Sequence, residues 1–117
     1  MAHRGDVIIV DFPFTDVPTK KRRPAVVVQA EAYNLTIAKT VVAMVTGNLL
    51  RAADPAHLFV DPKSPDGASS GLRATSLVSC YNLITIEQDD ILKALGQLSP
   101  VLLQRLDECL KAALGLQ

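Results

Sequence analysis

KKRRPAVVV, residues 20–28, places four consecutive cations directly before an apolar run. Pro24 fixes its own backbone and biases Arg23 toward an extended conformation. The β-branched residues that follow predict a strand over residues 25–29, buried on both faces. The turn chemistry of residues 13–19 predicts a long loop that continues into the basic run, so Arg23 is expected at the exit of that loop.

The basic run indicates a partner that carries phosphate. The guanidinium of Arg23 is planar and permanently charged, and its fork of donors matches phosphate oxygens better than any other side chain does. A run of charges is equally compatible with a solvated loop between two strands. The residues alone leave both interpretations open.

Segments rich in β-branched and apolar residues recur along the chain and predict further strands. They cover residues 6–12, 40–46, 58–60, 75–80, 83–86 and 92–98, with a short turn of helix over residues 32–35. Ser99 as a cap, Pro100 at the first position and Gly115 after the last turn bound one clear C-terminal helix. Many short strands and one closing helix predict a mainly β domain, either a small β-barrel or a strongly bent sheet.

Composition limits the class of protein. The 117 residues predict a single domain over residues 1–117, and the balanced charge leaves anion binding to local patches. No apolar run approaches the roughly 20 residues that cross a bilayer, and the N-terminus lacks a signal peptide, so we predict a cytoplasmic protein without a membrane partner. The high apolar content and the apolar face of the helix favour a homodimer.

Other reactive side chains show no catalytic or metal-binding pattern. Cys80 and Cys109 lie in apolar segments, which predicts buried, reduced thiols, and their spacing fits no metal site. His3 is expected in a frayed terminus, and His57 in a solvated loop. We therefore predict neither a metal nor a cofactor.

Several separated pieces of the chain resemble one family, the MazF/PemK toxins of bacterial toxin–antitoxin systems. Their order and spacing span nearly the whole chain, and the matching pieces are RGDV at 4–7, PFTD at 13–16, RRPAVV at 22–27, VTGN at 45–48, TIE at 85–87, LGQLS at 95–99 and LGL at 114–116. The resemblance implies an SH3-like small β-barrel of the MazF/CcdB type with a C-terminal helix, and a homodimer. It also implies a sequence-selective, metal-independent endoribonuclease that cleaves single-stranded RNA and is neutralised by a cognate antitoxin.

Two catalytic positions of the family fall on Arg23 and Thr46, and both residue types are present. The chain departs from the family after the fifth strand, where many relatives carry an Asp-Gln pair. It has Tyr81 and Asn82 there, and Ser79 where some relatives place an arginine. A carboxylate role at this position is therefore excluded. Tyr81 either stacks on a base of the RNA or packs against the barrel.

The cations Lys20, Lys21 and Arg22 are expected to hold the RNA backbone. Asn48 has donors and acceptors suited to a base edge or a sugar, and it is equally suited to capping the turn with Gly47. As a hypothesis on the chemistry, the 2′-hydroxyl attacks the adjacent phosphorus, while Arg23 and Thr46 bind the phosphate oxygens. Products would carry 2′,3′-cyclic phosphate and 5′-hydroxyl ends. Arginine is effectively always protonated, so the general base is not identified.

Two alternatives remain open. A gyrase poison of the CcdB type shares the expected fold, although such proteins depend on a C-terminal tryptophan and this chain contains none. The second alternative is a catalytically weak relative that binds RNA or its antitoxin. It stays open because Tyr81 and Asn82 stand where many relatives carry an Asp-Gln pair.

Overall fold

The structure is a computed structural model that describes residues 1–13 and 20–117. The expected loop of residues 14–19, with most of the PFTD motif, lies outside the described residues. Within these described residues, six strands and two α-helices follow one another. They are β1 (Asp6–Pro13), β2 (Lys20–Val27), α1 (Glu31–Thr36), β3 (Lys39–Thr46), β4 (His57–Val60), β5 (Ser76–Glu87), β6 (Ile91–Gln97) and α2 (Pro100–Leu114).

The strands form one antiparallel sheet in the order β4-β5-β3-β2-β1-β6. The sheet curls into a half-barrel, which confirms the mainly β class with a C-terminal helix and selects the bent-sheet form over a closed barrel. Within the described residues, β4 and β6 are the edge strands and do not pair with each other.

The basic run lies in β2 and not in a loop, so that part of the sequence prediction is wrong. Lys20 begins β2, and Arg22 and Arg23 pair with Asp11 and Val10 of β1. The pairing with β1 outweighs the local preference of charged residues for loops, because a tertiary partner routinely overrides β propensity. Consecutive side chains of a strand point to opposite faces, so Arg22 and Arg23 lie on different faces of the sheet.

Each face of the sheet carries its own apolar cluster. The first lies between the sheet and α2, where Val26, Ala43 and Val78 pack against Leu102 and Leu106. The second is on the opposite face, and its buried residues are Ala2, Ile8, Val10, Ala25, Val27 and Val42. The near-continuous burial of residues 25–27 follows from this arrangement and confirms the prediction of a strand covered on both faces.

The C-terminal helix is confirmed with its predicted boundaries. Ser99 Oγ accepts a hydrogen bond from the backbone N–H of Leu102 at 3.2 Å, Pro100 is the first helical residue, and Gly115 ends the helix with a φ of 70°. Leu102, Leu106 and Cys109 form its buried face. No helix in residues 1–13 and 20–117 has the length and apolar character needed to cross a bilayer.

The N-terminus is fixed, which corrects the expectation for His3. The Nδ1 atom of His3 lies 2.9 Å from Oε2 of Glu31, and the backbone N–H of Ala2 donates to Gln88 Oε1 at 2.9 Å. The hydrogen bond to His3, together with one from Asn34, lowers the pKa of the Glu31 carboxyl below its usual value. These contacts hold residues 2–6 against α1 and the turn before β6.

Candidate functional site

A cleft of about 220 Å³ opens at the end of β3, beside β5 and β4. It brings together three site residues predicted from the sequence, Thr46, Asn48 and Tyr81. It also contains Ser79 and Asn82, the two other positions at which the chain departs from the family pattern. The lining residues are Met44, Thr46, Asn48, Leu50, Arg51, His57, Leu77, Ser79, Tyr81 and Asn82.

Arg23 lies on the same face of the sheet as Thr46, although it does not itself line the cleft. β2 and β3 pair from Ala25 to Val27, with Ala25 opposite Met44, and Arg23 and Thr46 each lie two residues beyond that last pair. Directly opposed residues of antiparallel strands point to the same face. Arg23 is half-buried and its Nε atom is shielded from solvent.

Thr46 is the last residue of β3 and its hydroxyl is held as an acceptor. The backbone N–H of Asn48 donates to Thr46 Oγ1 at 3.1 Å. This contact leaves the hydroxyl hydrogen of Thr46 able to donate into the cleft, because a hydroxyl carries one donor and two acceptor sites. Thr46 is half-buried, so a ligand can reach this hydrogen.

Asn48 serves the turn and the cleft at the same time. Its Oδ1 accepts a hydrogen bond from the backbone N–H of Leu50 at 3.0 Å, which is the turn-capping role. The amide NH₂ group remains as a pair of donors at the wall of the cleft.

The departure from the family pattern sits on a large bulge of β5. Met44 pairs with Ser79 and the preceding Ala43 pairs with Leu83, so residues 80–82 are extra on the β5 side. Bulges re-aim side chains and are frequent beside active sites. Here the bulge leaves Tyr81 49% exposed at the cleft, while Asn82 Nδ2 donates to Ser79 Oγ at 3.0 Å.

His57 lies at the wall of the cleft, which contradicts the expectation of a solvated loop. It begins β4 and pairs with Ser79, and its side chain is only 4% exposed. Its Nδ1 atom lies 3.0 Å from Asp54 Oδ2, and its ring meets that of Tyr81 edge to face at a centroid distance of 4.9 Å. An Asp three residues before a His was visible in the sequence, but only the fold brings this pair to Thr46 and Tyr81.

Arg51 is a second residue that the sequence analysis missed. Its exposed side chain is the one permanently charged group among the described residues that line the cleft. Its position five residues after Thr46, in the loop that leaves β3, was the available signal. It supplies a positive charge within the cleft lining, to which no residue of the basic run belongs.

The basic run is divided between the two faces of the sheet. Lys21 shares a strand face with Arg23, whereas Arg22 points to the other face. There Arg22 Nε lies 3.7 Å from Asp11 Oδ1, and Arg22 lines a separate groove of about 650 Å³ with the cations Arg73 and Lys93. The strand therefore separates Arg22 from Lys21 and Arg23, and the expectation that Lys20, Lys21 and Arg22 hold the RNA backbone stays a prediction.

The cysteines take no part in the cleft. Both are free and buried, as predicted. Burial, with a smaller contribution from Cys109, raises the pKa of the Cys80 thiol to about 12. A thiol of this kind stays protonated at neutral pH and is a poor nucleophile. Across the described residues, no three His, Cys, Asp or Glu side chains converge as a metal site would need.

Comparison with known proteins gives a consistent match. Residues 3–114 match the family of PemK-like, MazF-like toxins of type II toxin–antitoxin systems. The endoribonuclease MazF2 of Mycobacterium bovis is 28% identical over 97 residues, which cover 82% of this chain and 81% of that protein. The endoribonuclease MazF6 of Mycobacterium tuberculosis matches to the same extent.

Solved structures agree on the fold. Mycobacterium tuberculosis toxin MazF-mt6 superimposes with a TM-score of 0.76 at 25% identity, over 96% of this chain and 98% of that one. A mycobacterial endoribonuclease in complex with its cognate antitoxin gives a TM-score of 0.81 at 24% identity, over 100% of this chain and 98% of that one. At that identity the second likeness concerns the fold alone.

Proposed function

The chain belongs to the PemK-like, MazF-like toxins of type II toxin–antitoxin systems, and we propose that it cleaves single-stranded RNA as a metal-independent endoribonuclease. The observation that carries the proposal is the cleft lined by Thr46, Asn48 and Tyr81, together with the position of Arg23 on the same sheet face as Thr46, two residues beyond the Ala25–Met44 pair. Curated relatives named endoribonucleases support the same activity.

The reaction needs no group that the chain lacks. The 2′-hydroxyl of the RNA attacks the adjacent phosphorus in line, and the bond to the 5′ oxygen breaks. A 2′,3′-cyclic phosphate and a 5′-hydroxyl result. The protein positions sugar and phosphate and stabilises the charge that develops on the phosphate oxygens, two effects that supply most of the acceleration in reactions of this type.

Arg23 and Thr46 are assigned to the phosphate. The hydroxyl hydrogen of Thr46 donates to one equatorial oxygen, since Thr46 Oγ1 already accepts from Asn48. The guanidinium of Arg23, on the same sheet face as Thr46, offers two parallel donors to the same group. Arg51 adds a cation on the cleft side.

Tyr81 and Asn48 are assigned to the nucleotide. Tyr81 is half exposed at the cleft and presents a ring on which a base can stack. The free amide donors of Asn48 reach a base edge or a sugar. Lys21 lies on the same strand face as Arg23 and contacts the RNA backbone, and Lys20 and Arg22 add to the positive potential that attracts it.

The proposed partners follow from the family. A toxin of a type II system is neutralised by a cognate antitoxin protein, and we expect the antitoxin to cover this cleft. We also expect a homodimer, because exposed apolar side chains of the sheet such as Phe59 and Ile84 would be covered by a second copy. The two free, buried thiols suit a reducing cytoplasm, where RNA substrate is present.

Chelation is expected to leave the activity intact. A long RNA of mixed sequence, incubated with the protein in excess EDTA, is expected to be cut at defined sites and at the rate measured without EDTA. The ends are mapped by primer extension, and their chemistry is read from their resistance to 5′-phosphate-dependent exonuclease and from the cyclic phosphate. Loss of cutting in EDTA and its return with Mg²⁺ would contradict the proposal.

A further inference from the structure

We propose that His57, held by Asp54, is the catalytic residue that accepts the proton of the attacking 2′-hydroxyl. The inference rests on the proposed ribonuclease function and supplies the general base that Arg23 cannot provide. No motif of the chain points to it, since the pair becomes part of the cleft only through the fold.

Asp54 is fixed in a tight turn that presents its carboxylate to His57. The Asp54 carbonyl accepts from the backbone N–H of His57 at 3.0 Å, and Asp54 Oδ1 accepts from Ala56 N–H at 3.3 Å. The second carboxylate oxygen, Oδ2, lies 3.0 Å from His57 Nδ1. The Ala56 carbonyl accepts from Cys80 N–H at 2.9 Å, which ties the turn to β5 just before Tyr81.

This contact selects the tautomer of the imidazole. An ionised carboxylate only accepts hydrogen bonds, so His57 Nδ1 carries the hydrogen and Nε2 carries the lone pair. Nε2 is on the other side of the ring from Asp54, and no hydrogen bond from the described part of the chain reaches it. His57 lines the cleft with Thr46, and we assign Nε2 as the basic atom that acts on a ligand bound there.

The position fits a nucleotide whose phosphate is held by Thr46. His57 and Thr46 belong to strands on either side of β5, and their partners there, Ser79 and Leu77, are alternate residues of one face. The two flanking strands are about 10 Å apart. His57 and Thr46 both line the cleft of about 220 Å³ over β5, which leaves room for a sugar and its phosphate.

Several charged or ionisable groups surround the imidazole of His57 and line the cleft. Asp54 faces Nδ1 from the turn before β4 and stabilises the imidazolium, and Arg51 and Tyr81 are the other ionisable groups lining the cleft among the described residues. From α2, the thiol of Cys109 lies near Asp54, whose charge contributes to raising the Cys109 pKa after the larger effect of burial.

The step balances without a co-reactant. Nε2 takes the proton as the 2′ oxygen forms its bond to phosphorus, and the 5′ oxygen leaves with the electron pair of the broken bond. The 5′ oxygen takes a proton from solvent, and His57 returns its proton to solvent. The sum is a transesterification that consumes no water.

The test replaces His57 with glutamine, and His3→Gln is its matched control. His3 is also a histidine whose Nδ1 contacts a carboxylate, that of Glu31 at 2.9 Å, but it lies away from the cleft. We expect His57→Gln to lower kcat by about 10²–10⁴-fold with KM unchanged, the usual contribution of a general base. The pH dependence of cleavage is expected to differ between the wild type and His57→Gln, because the variant lacks the imidazole.

Asp54→Asn is a second test, which remains informative if the His57→Gln variant does not fold. The side chain of Asp54 is 34% exposed, so the change is expected to leave the melting temperature unchanged while it removes the group that sets the tautomer. We expect a lower kcat, unchanged RNA affinity and an altered pH profile. A wild-type rate and profile in Asp54→Asn, or in a folded His57→Gln, overturns the proposal.

The outcomes also separate this inference from the proposed function. If the wild type cleaves RNA, Arg23→Ala is inactive and folded His57→Gln cleaves at the wild-type rate, the assignment of His57 is wrong and the ribonuclease proposal stands. If the folded wild type cleaves no RNA over a broad panel of sequences, the ribonuclease proposal fails and the assignment fails with it.

Discussion

Arg23→Lys is expected to lower kcat for RNA cleavage by about 10²–10³-fold, the range seen when one preorganised donor to a developing oxyanion is removed. Lysine keeps the charge but loses the planar fork that holds two phosphate oxygens at once. The affinity for RNA is expected to change little, because most of the affinity comes from charge. Single-turnover cleavage and equilibrium binding of the same oligonucleotide, measured side by side, separate the two effects.

Arg105→Lys is the matched control for this substitution. Arg105 is exposed on α2, and it neither lines the cleft nor belongs to β2. The same chemical change there is expected to alter neither turnover nor binding. A nearly wild-type rate for folded Arg23→Lys would show that the fork geometry of Arg23 is not used in the transition state.

Thr46→Val is expected to lower kcat by about 10²–10³-fold for the same reason, the loss of one donor to the phosphate. Valine keeps the shape of threonine and its preference for a strand end, so the fold should persist. The hydrogen bond that Thr46 accepts from Asn48 is solvent-exposed, and water can replace it. Thermal unfolding is expected to show little change, which makes the kinetic loss attributable to the hydroxyl.

Thr46→Ser tests whether restoring a hydroxyl at position 46 restores the rate of RNA cleavage. Serine restores a hydroxyl at the same atom and is expected to recover most of the lost rate. If the valine variant cleaves as fast as the serine variant, the hydroxyl does not act on the phosphate and Thr46 is only the last residue of a strand.

Much of the fold could be predicted because local sequence signals mark where its helices and strands lie. The Ser99 cap, Pro100 and Gly115 bound α2 correctly, and apolar or β-branched segments marked the strands, although residues 75–80 and 83–86, expected as two strands, belong to the single strand β5. The error at Lys20–Arg23 has a physical cause. Four cations are a poor strand by local propensity, yet β1 supplies a complete set of pairing partners for them. Pairing with a distant segment cannot be read from the segment itself.

Only those site residues that belong to a recognisable sequence motif could be predicted. Thr46, Asn48 and Tyr81 were found from their places in family-like pieces, and the structure gathers them in one cleft. The contact between Asp54 and His57 was missed, because an acid three residues before a histidine gains meaning only when β4 pairs with β5 beside Tyr81. Likewise, the separation of Arg22 from Arg23 depends on β2 being a strand.

Attack by the neighbouring 2′-hydroxyl is tested most directly with two RNA oligonucleotides that differ only by a 2′-deoxyribose on the 5′ side of the mapped cut. We expect the protein to bind both with equal affinity, to cleave the all-ribose strand to cyclic phosphate and 5′-hydroxyl ends, and to leave the deoxy-substituted strand uncut at that position. Cleavage of the deoxy-substituted strand at a comparable rate would rule out this mechanism, because scission would then proceed without the neighbouring hydroxyl.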